Sequence, residues 1–292
     1  MTKILFLFLV SIPYAQISDY AYTHAEASAM AGAVVAEAGS NWSIFHNPAG
    51  ITEIEGTHLS AGSGKLYGFN WLPAYNLSGT TPLPGIGKIG FAFQQLETKY
   101  SGKTLSKEQT LSIAQGFELQ RDKNSHLSIG YTANFVQWNM GRSAGVSGDG
   151  TDGLELGGVN SLTIDFGVLA SLREKYRFGV FLKNINSGAL GKGMTRQVLP
   201  RRINTGITYM PISGLATSIV SEYLLGRDDM QIKAAIKYNL NSNLEIYAGA
   251  QSNPNRFGMG ATFTLNTQSI SYGLLTHPVL PMTHQFNIGL SL

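Results

Sequence analysis

From Thr57 to Leu292 the chain alternates apolar and polar residues in short segments separated by turn residues, and this pattern restricts the fold more than any other feature. Leu127-Ser-Ile-Gly-Tyr-Thr-Ala-Asn-Phe135 carries apolar or aromatic residues at odd positions and Ser128, Gly130, Thr132 and Asn134 at even ones. Ile232-Lys-Ala-Ala-Ile-Lys-Tyr238 sets Lys233 and Lys237 against Ile232, Ile236 and Tyr238, and Phe286–Leu292 alternates strictly. Successive side chains of a strand point to opposite faces, so such segments form sheet with one greasy and one polar face. Fourteen fit, near 57–67, 70–78, 87–98, 104–119, 125–138, 159–171, 175–185, 200–210, 214–225, 229–239, 243–251, 255–265, 268–276 and 282–292.

Composition decides what kind of sheet this is. Only 13% of residues are charged and the mean hydropathy is zero, with 34 Gly. A soluble domain carries about 25% charged residues. A helical membrane protein shows apolar runs of about 20 residues, which are lacking after the N-terminus. Both observations fit a transmembrane β-barrel, whose lipid-facing and lumen-facing residues cancel in the average.

A soluble β-sandwich or propeller would alternate as well. The polar face argues against both. Asp165, Arg177, Lys183, Arg202, Glu222, Lys233, Lys237 and Glu245 all fall opposite the apolar positions of their segments, as lumen groups that would meet as ion pairs. Tyr131, Trp138, Tyr176, Tyr209, Tyr223, Tyr238 and Tyr272 suit aromatic girdles at the membrane interfaces. The expected fold is therefore all-β, a single antiparallel barrel of about 14 strands. Connections near 139–158, 186–199 and 277–281 are expected at the outer end, and tight turns at 120–124, 210–213 and 240–242 at the inner end. Ser78–Ile86 is longer than this scheme expects of an inner turn.

Residues 1–15 read as a secretory signal, with one early cation, an apolar run too short to span a bilayer and a small residue, Ala15, before the expected cut. Residues 16–56 are expected to form a lumenal plug and residues 57–292 the barrel. Within the plug, His24–Ala38 is rich in Ala, which favours helix, and Pro48 disfavours helix at Asn47.

Net charge is +3 with dispersed Lys and Arg, which excludes the basic stripe of a nucleic-acid binder. With no Cys there are no disulfides. None of His24, His46, His58, His126, His277 and His284 has metal-ligand spacing, although His277 and His284 flank one outer loop. Asp149-Gly-Thr-Asp-Gly153 resembles part of a calcium loop without the full spacing. No GxSxG elbow is present, and no paired carboxylates suit catalysis. No enzyme, cofactor or metal is expected.

The plug carries a resemblance. A Gly- and Ala-rich stretch containing Gly32 leads through Phe45 to Asn47-Pro48-Ala49-Gly50 before the first strand, which is similar to the FadL-type superfamily of outer-membrane barrels and its PorV/PorQ-like branch. Leu182–Ile185, Leu199–Tyr209 and Ser271–Leu290 resemble later parts of that branch. The resemblance implies an outer-membrane protein, surrounded by lipid, with a hatch in the lumen. It implies either passage of small hydrophobic molecules or, in the branch, a docking role for secretion-system partners (type IX). The chain is shorter than typical fatty-acid transporters and ends in Leu292 rather than an aromatic residue.

Overall fold

A computed structural model describes residues 23–100, 102–143, 145–148, 151–191, 196–226 and 229–292, leaving the side chains of residues 100 and 229 aside. The expected signal segment lies outside the described residues. Among the described residues sixteen strands follow one another: β1 (His58–Lys65), β2 (Pro73–Leu83), β3 (Gly87–Tyr100), β4 (Lys103–Arg121), β5 (Ser125–Arg142), β6 (Glu155–Leu172), β7 (Tyr176–Lys183), β8 (Ala189–Leu190), β9 (Gln197–Val198), β10 (Arg201–Tyr209), β11 (Leu215–Leu225), β12 (Asp229–Asn239), β13 (Leu244–Gln251), β14 (Arg256–Leu265), β15 (Gln268–Leu275) and β16 (Thr283–Ser291). Fourteen of them close a barrel in which each pairs with its neighbour and β1 pairs with β16. The two-residue strands β8 and β9 form a hairpin inside one loop.

Closure is complete, from His58 opposite Ser291 to Lys65 opposite His284. It removes the free edge that an open sheet would expose. Each of the fourteen expected segments contains a barrel strand, with ends shifted by a few residues. The largest shift is in β2, which runs on to Leu83 and leaves only 84–86 as a turn. Ser78, Gly79 and Thr80 read as turn residues in isolation, but their pairing with β1 and β3 makes them strand. The long connections also shrink. β5 continues to Arg142 and β6 begins at Glu155, so the expected 139–158 loop becomes 143–154.

Connections divide by end. The loop end carries 66–72, 143–154, 184–200 and 276–282; the turn end carries 84–86, 122–124, 173–175, 210–214, 240–243 and 266–267.

The outer wall locates an apolar band. Phe93, Leu111, Phe135 and Leu162 stand in register across β3–β6. Two residues nearer the loop end the row becomes Gln95, Gln109, Gln137 and Asn160, also in register. Outward-facing β4 is then apolar at Ile113, Phe117 and Leu119, the last 58% exposed, with Gln115 between them bonded to the Tyr131 hydroxyl. From Leu111 to Leu119 is about 27 Å along the strand, or roughly 20 Å along the barrel axis at the usual tilt, close to the height of a lipid-facing band. β4, β5 and β6, at 19, 18 and 18 residues, therefore rise well past the glutamine row.

One girdle residue was misread. Trp138 faces the lumen, where its Nε1 donates to Ser106 Oγ at 2.7 Å and its ring packs with Leu190 and Leu199. Tyr131 and Trp138 are seven residues apart, and an odd separation places them on opposite faces of a strand. Tyr176 and Tyr209 do stack on the outside, with centroids 5.0 Å apart.

Candidate functional site: a hatch-sealed lumen

The first described residues lie inside the barrel. Helix α1 (Ala25–Ala29) is much shorter than the Ala content of 24–38 suggests. It stops because Ala31 and Gly32 adopt φ of 47° and 80°, and Gly32 N donates to Ala27 O at 2.8 Å in a left-handed cap. Wall contact outweighs helix propensity here. Ala27, Ala29, Met30, Ala33, Val34 and Val35 bury against Phe181, Val220, Ala235 and Tyr247.

Two 3₁₀ turns follow, Asn41–Phe45 and Pro48–Glu53. Asn47 organises the second. Its Oδ1 accepts from Ala49 N at 3.2 Å, and its Nδ2 donates to Val35 O at 2.7 Å and to Val168 O of β6 at 3.1 Å. One amide thus caps the turn, ties the hatch to itself and ties it to the wall. Pro48 suits the first position of such a turn, where its missing N–H costs nothing. Gly50 is required by space: a Cβ there would stand 2.9 Å from Glu37 O.

The hatch winds along the wall in reverse strand order. Ala25–Met30 lies on β15, β14 and β13, Val35 on β10 and β7, and Asn47–Thr52 on β6, β5 and β4. At these contacts the wall is glycine, and the glycines pair in register: Gly116 with Gly130, Gly130 with Gly167, Gly179 with Gly206, Gly249 with Gly258 and Gly260 with Gly273. Without side chains the two backbones touch. Sequence reading missed this, although the signal was present: Gly130 shares the parity of Ser128, Thr132 and Asn134.

The eight polar residues singled out from sequence all face inward, seven of them in four groups and Lys183 apart. Asp165 Oδ1 accepts from Asn184 N at 2.7 Å and Oδ2 from Asn134 Nδ2 at 2.8 Å. Arg202 Nη1 and Lys233 Nζ sit 3.0 and 2.9 Å from the two oxygens of Glu222, all three deeply buried. Arg177 Nη2 reaches Glu53 of the hatch at 2.8 Å. Lys237 Nζ reaches Glu37 of the hatch at 2.8 Å and Glu245 at 3.9 Å. Lys183 stands opposite Arg202 across β7 and β10 and borders the free space above the hatch. The hatch partners Glu37 and Glu53 were not legible, because nothing local says which wall cation a plug carboxylate will meet.

Free space is divided by this arrangement. At the loop end a cavity of about 100 Å³ lies over Ile44 and Phe45 and under Leu199 and Pro200. Between Phe45, His46, Gly32 and the Arg202–Glu222–Lys233 group only about 30 Å³ remains. At the turn end two wider recesses of about 600 and 470 Å³ open beneath the hatch. Drug-sized ligand pockets run to roughly 300–1,000 Å³, so the neck is closed to solutes. From the loop end the β8–β9 hairpin folds inward, burying Leu190 and Leu199 against Val136, Trp138 and Val159.

Within the hatch, Phe45 stacks on Trp42 (6.1 Å) and Trp42 on His24 (5.3 Å). His24 and His46 meet at 3.2 Å between ring nitrogens, with Thr23 Oγ1 3.0 Å from His46. Burial holds both imidazoles neutral, with His46 lowered to about 3. Among the described residues no cluster of three or more His, Cys, Asp or Glu could hold a metal ion. His277 packs on Tyr67 and His284 bonds to Tyr272, so each has its own partner. Asp152 is not arranged as a calcium ligand, since it accepts from Val146 N and from the backbone and hydroxyl of Ser147. Asp149 lies outside the described residues.

No family model and no curated protein matches the chain. Solved structures do. A CymD monoaromatic hydrocarbon channel aligns with TM-score 0.66 at 13% identity, covering 94% of this chain and 99% of that one. The Ralstonia pickettii toluene transporter TbuX aligns with TM-score 0.59 at 12% identity, covering 91% and 96%. A Pseudomonas aeruginosa FadL homologue aligns with TM-score 0.54 at 10% identity, covering 91% and 97%. The chain shares the fold of FadL-type channels over nearly its whole described length.

Proposed function

We propose that this protein is an outer-membrane transport barrel that admits small apolar molecules past its hatch. The observation that carries the reading is a closed barrel, apolar outside, whose lumen is blocked only by its own N-terminal segment and an infolded loop. A purely structural wall has no need of a recess at each end of such a plug. The cavity over Phe45 sets apolar Leu96, Val136, Leu199 and Pro200 beside charged Glu108, Asp165, Lys183 and Arg202, and at about 100 Å³ it is sized for a small molecule rather than a long chain. The structural relatives described as hydrocarbon channels and toluene transporters support the same substrate class. On this reading the loop end faces outward, the turn end faces the periplasm, and residues 1–15 direct export.

The finer resemblance to the PorV/PorQ-like branch, with a docking role in secretion, draws no support from these relatives.

Proteoliposomes test the proposal. Purified protein makes them permeable to toluene-sized hydrocarbons, and deletion of residues 17–50 alters the rate. If the full chain and the deletion variant both leave liposomes as tight as empty ones, the transport reading is wrong.

A further inference from the structure

The hatch meets the wall in two unlike ways. Over most of its path its backbone lies on paired glycines, but along β16, β1 and β2 it faces small polar side chains. Gly62 is flanked in register by Asn76 and Asn287, Ser60 by Ser78 and Gly289, and His58 by Thr80 and Ser291. Asn76, Ser78, Thr80 and Asn287 are 2–4% exposed. Yet Asn76 Oδ1, Ser78 Oγ, Thr80 Oγ1 and Asn287 Nδ2 are buried without a hydrogen-bond partner among the described residues. Among the described residues the hatch bonds to this flank through Ala25 N to Asn287 Oδ1 at 2.6 Å, Asn41 Nδ2 to Ser60 Oγ at 3.0 Å and to Ser78 O at 3.5 Å, and Ser60 Oγ to Asn41 Oδ1 at 3.4 Å.

Buried polar groups are almost always satisfied, and where protein supplies no partner an ordered water does, provided two to four polar atoms surround it. Here three successive lumen-facing positions of one strand each leave an oxygen over, and the strand two places away adds an N–H donor. The donors and acceptors form a column about 14 Å long, from Asn76 to Thr80.

We propose that the lumen face of β16–β1–β2 is a water-bearing seam, which admits water and small hydrogen-bonding solutes alongside the closed hatch. The seam is distinct from the neck at Phe45, and does not depend on what the barrel transports. Its physical basis is that a glycine wall presents no side-chain polar atom to the hatch, whereas here a row of hydroxyls and amides does.

The absence of native cysteine makes the test direct. Single variants Ser78→Cys and Thr80→Cys on the seam, and Thr132→Cys and Thr208→Cys on other parts of the lumen face, are treated in the folded state with a small hydrophilic methanethiosulfonate. All four native side chains are equally hidden, at 0–3% exposure. The seam variants react roughly tenfold faster or more, because access there does not wait for local unfolding. Uniformly slow labelling overturns the proposal, and uniformly fast labelling overturns its confinement to this flank. A second measurement stands if a cysteine variant fails to fold: Ser78→Ala with Thr80→Val lowers the melting temperature when water is bound. A higher melting temperature shows a dry interface relieved of unpaired oxygens and overturns the seam.

Discussion

Pro48 rests on Gly130 so closely that a Cβ on Gly130 would come within 2.5 Å of the Pro48 carbonyl carbon, and 121 and 37 residues respectively separate the other wall partners of this turn, Val168 from Asn47 and Gly167 from Gly130 in register on the next strand. Backbone on backbone is what holds the hatch flat. Replacing Gly130 by Ala forces the Pro48 turn off the wall and lowers stability by about 1–3 kcal/mol, the usual cost of overpacking. A thermal melt in detergent reads this loss. A melting temperature equal to that of the native chain shows that the hatch is not pressed against β5.

Asn47 separates capping from tethering. Asn47→Asp keeps an oxygen for Ala49 N but loses both donations, to Val35 O and Val168 O; Asn47→Ala loses all three bonds. Both variants are destabilised, Ala by roughly 2–3 kcal/mol and Asp by at least as much at neutral pH, since its second oxygen would face the Val35 and Val168 carbonyls in a buried site. Equal stability of the Ala variant and the native chain would mean that the side chain holds nothing.

Glu222 balances two buried cations. Glu222→Ala removes the carboxylate that bridges buried Arg202 and Lys233, which costs about 3–5 kcal/mol. Combining Lys233→Met with Glu222→Gln costs less than the two single changes added together, because the pair shares one interaction. Additive losses in chemical denaturation contradict a coupled group.

Glu26 makes stability depend on pH. This partly buried hatch carboxyl is raised to about 7, chiefly by desolvation, with Glu245 and Glu37 pushing it up and Lys237 pulling it down. A carboxyl raised above its unfolded value binds its proton more tightly when folded. Its contribution is therefore complete below about 4.5 and is lost as pH rises through about 7. Glu26→Gln flattens stability across that window and melts higher than the native chain at pH 8. An unchanged pH profile contradicts the assignment.

Phe45 borders both the cavity above the hatch and the narrow neck. Phe45→Ala joins the two spaces and speeds entry of small solutes into proteoliposomes, while the melting temperature falls by an amount typical of losing a partly buried aromatic, below the roughly 3–5 kcal/mol of a fully buried one. A variant with native permeability places the barrier elsewhere.

The alternation in the strands made the barrel legible, since side-chain parity is a local property that survives any closure. Parity also put Lys233, Lys237, Glu222 and Arg202 indoors. Parity from Tyr131 places Trp138 indoors as well, against the girdle position that its aromatic type and strand-end location suggest. The Asn47-Pro48-Ala49-Gly50 turn was readable because proline and asparagine chemistry is local too.

What one dimension could not carry is the pairing between distant pieces. Ala-rich sequence from His24 to Ala38 favours a helix, yet the chain turns at Ala31 and Gly32 to follow a curved wall. Glu37 finds Lys237 two hundred residues away, and Glu53 finds Arg177, through strand register and barrel shear that no single segment encodes. The amino-acid order by itself determined which face of each barrel strand is polar and that the plug turns at Asn47-Pro48. Only the closed tertiary structure decided how the plug lies, because bare glycine backbones become a seat for another backbone only when neighbouring strands bring them into line.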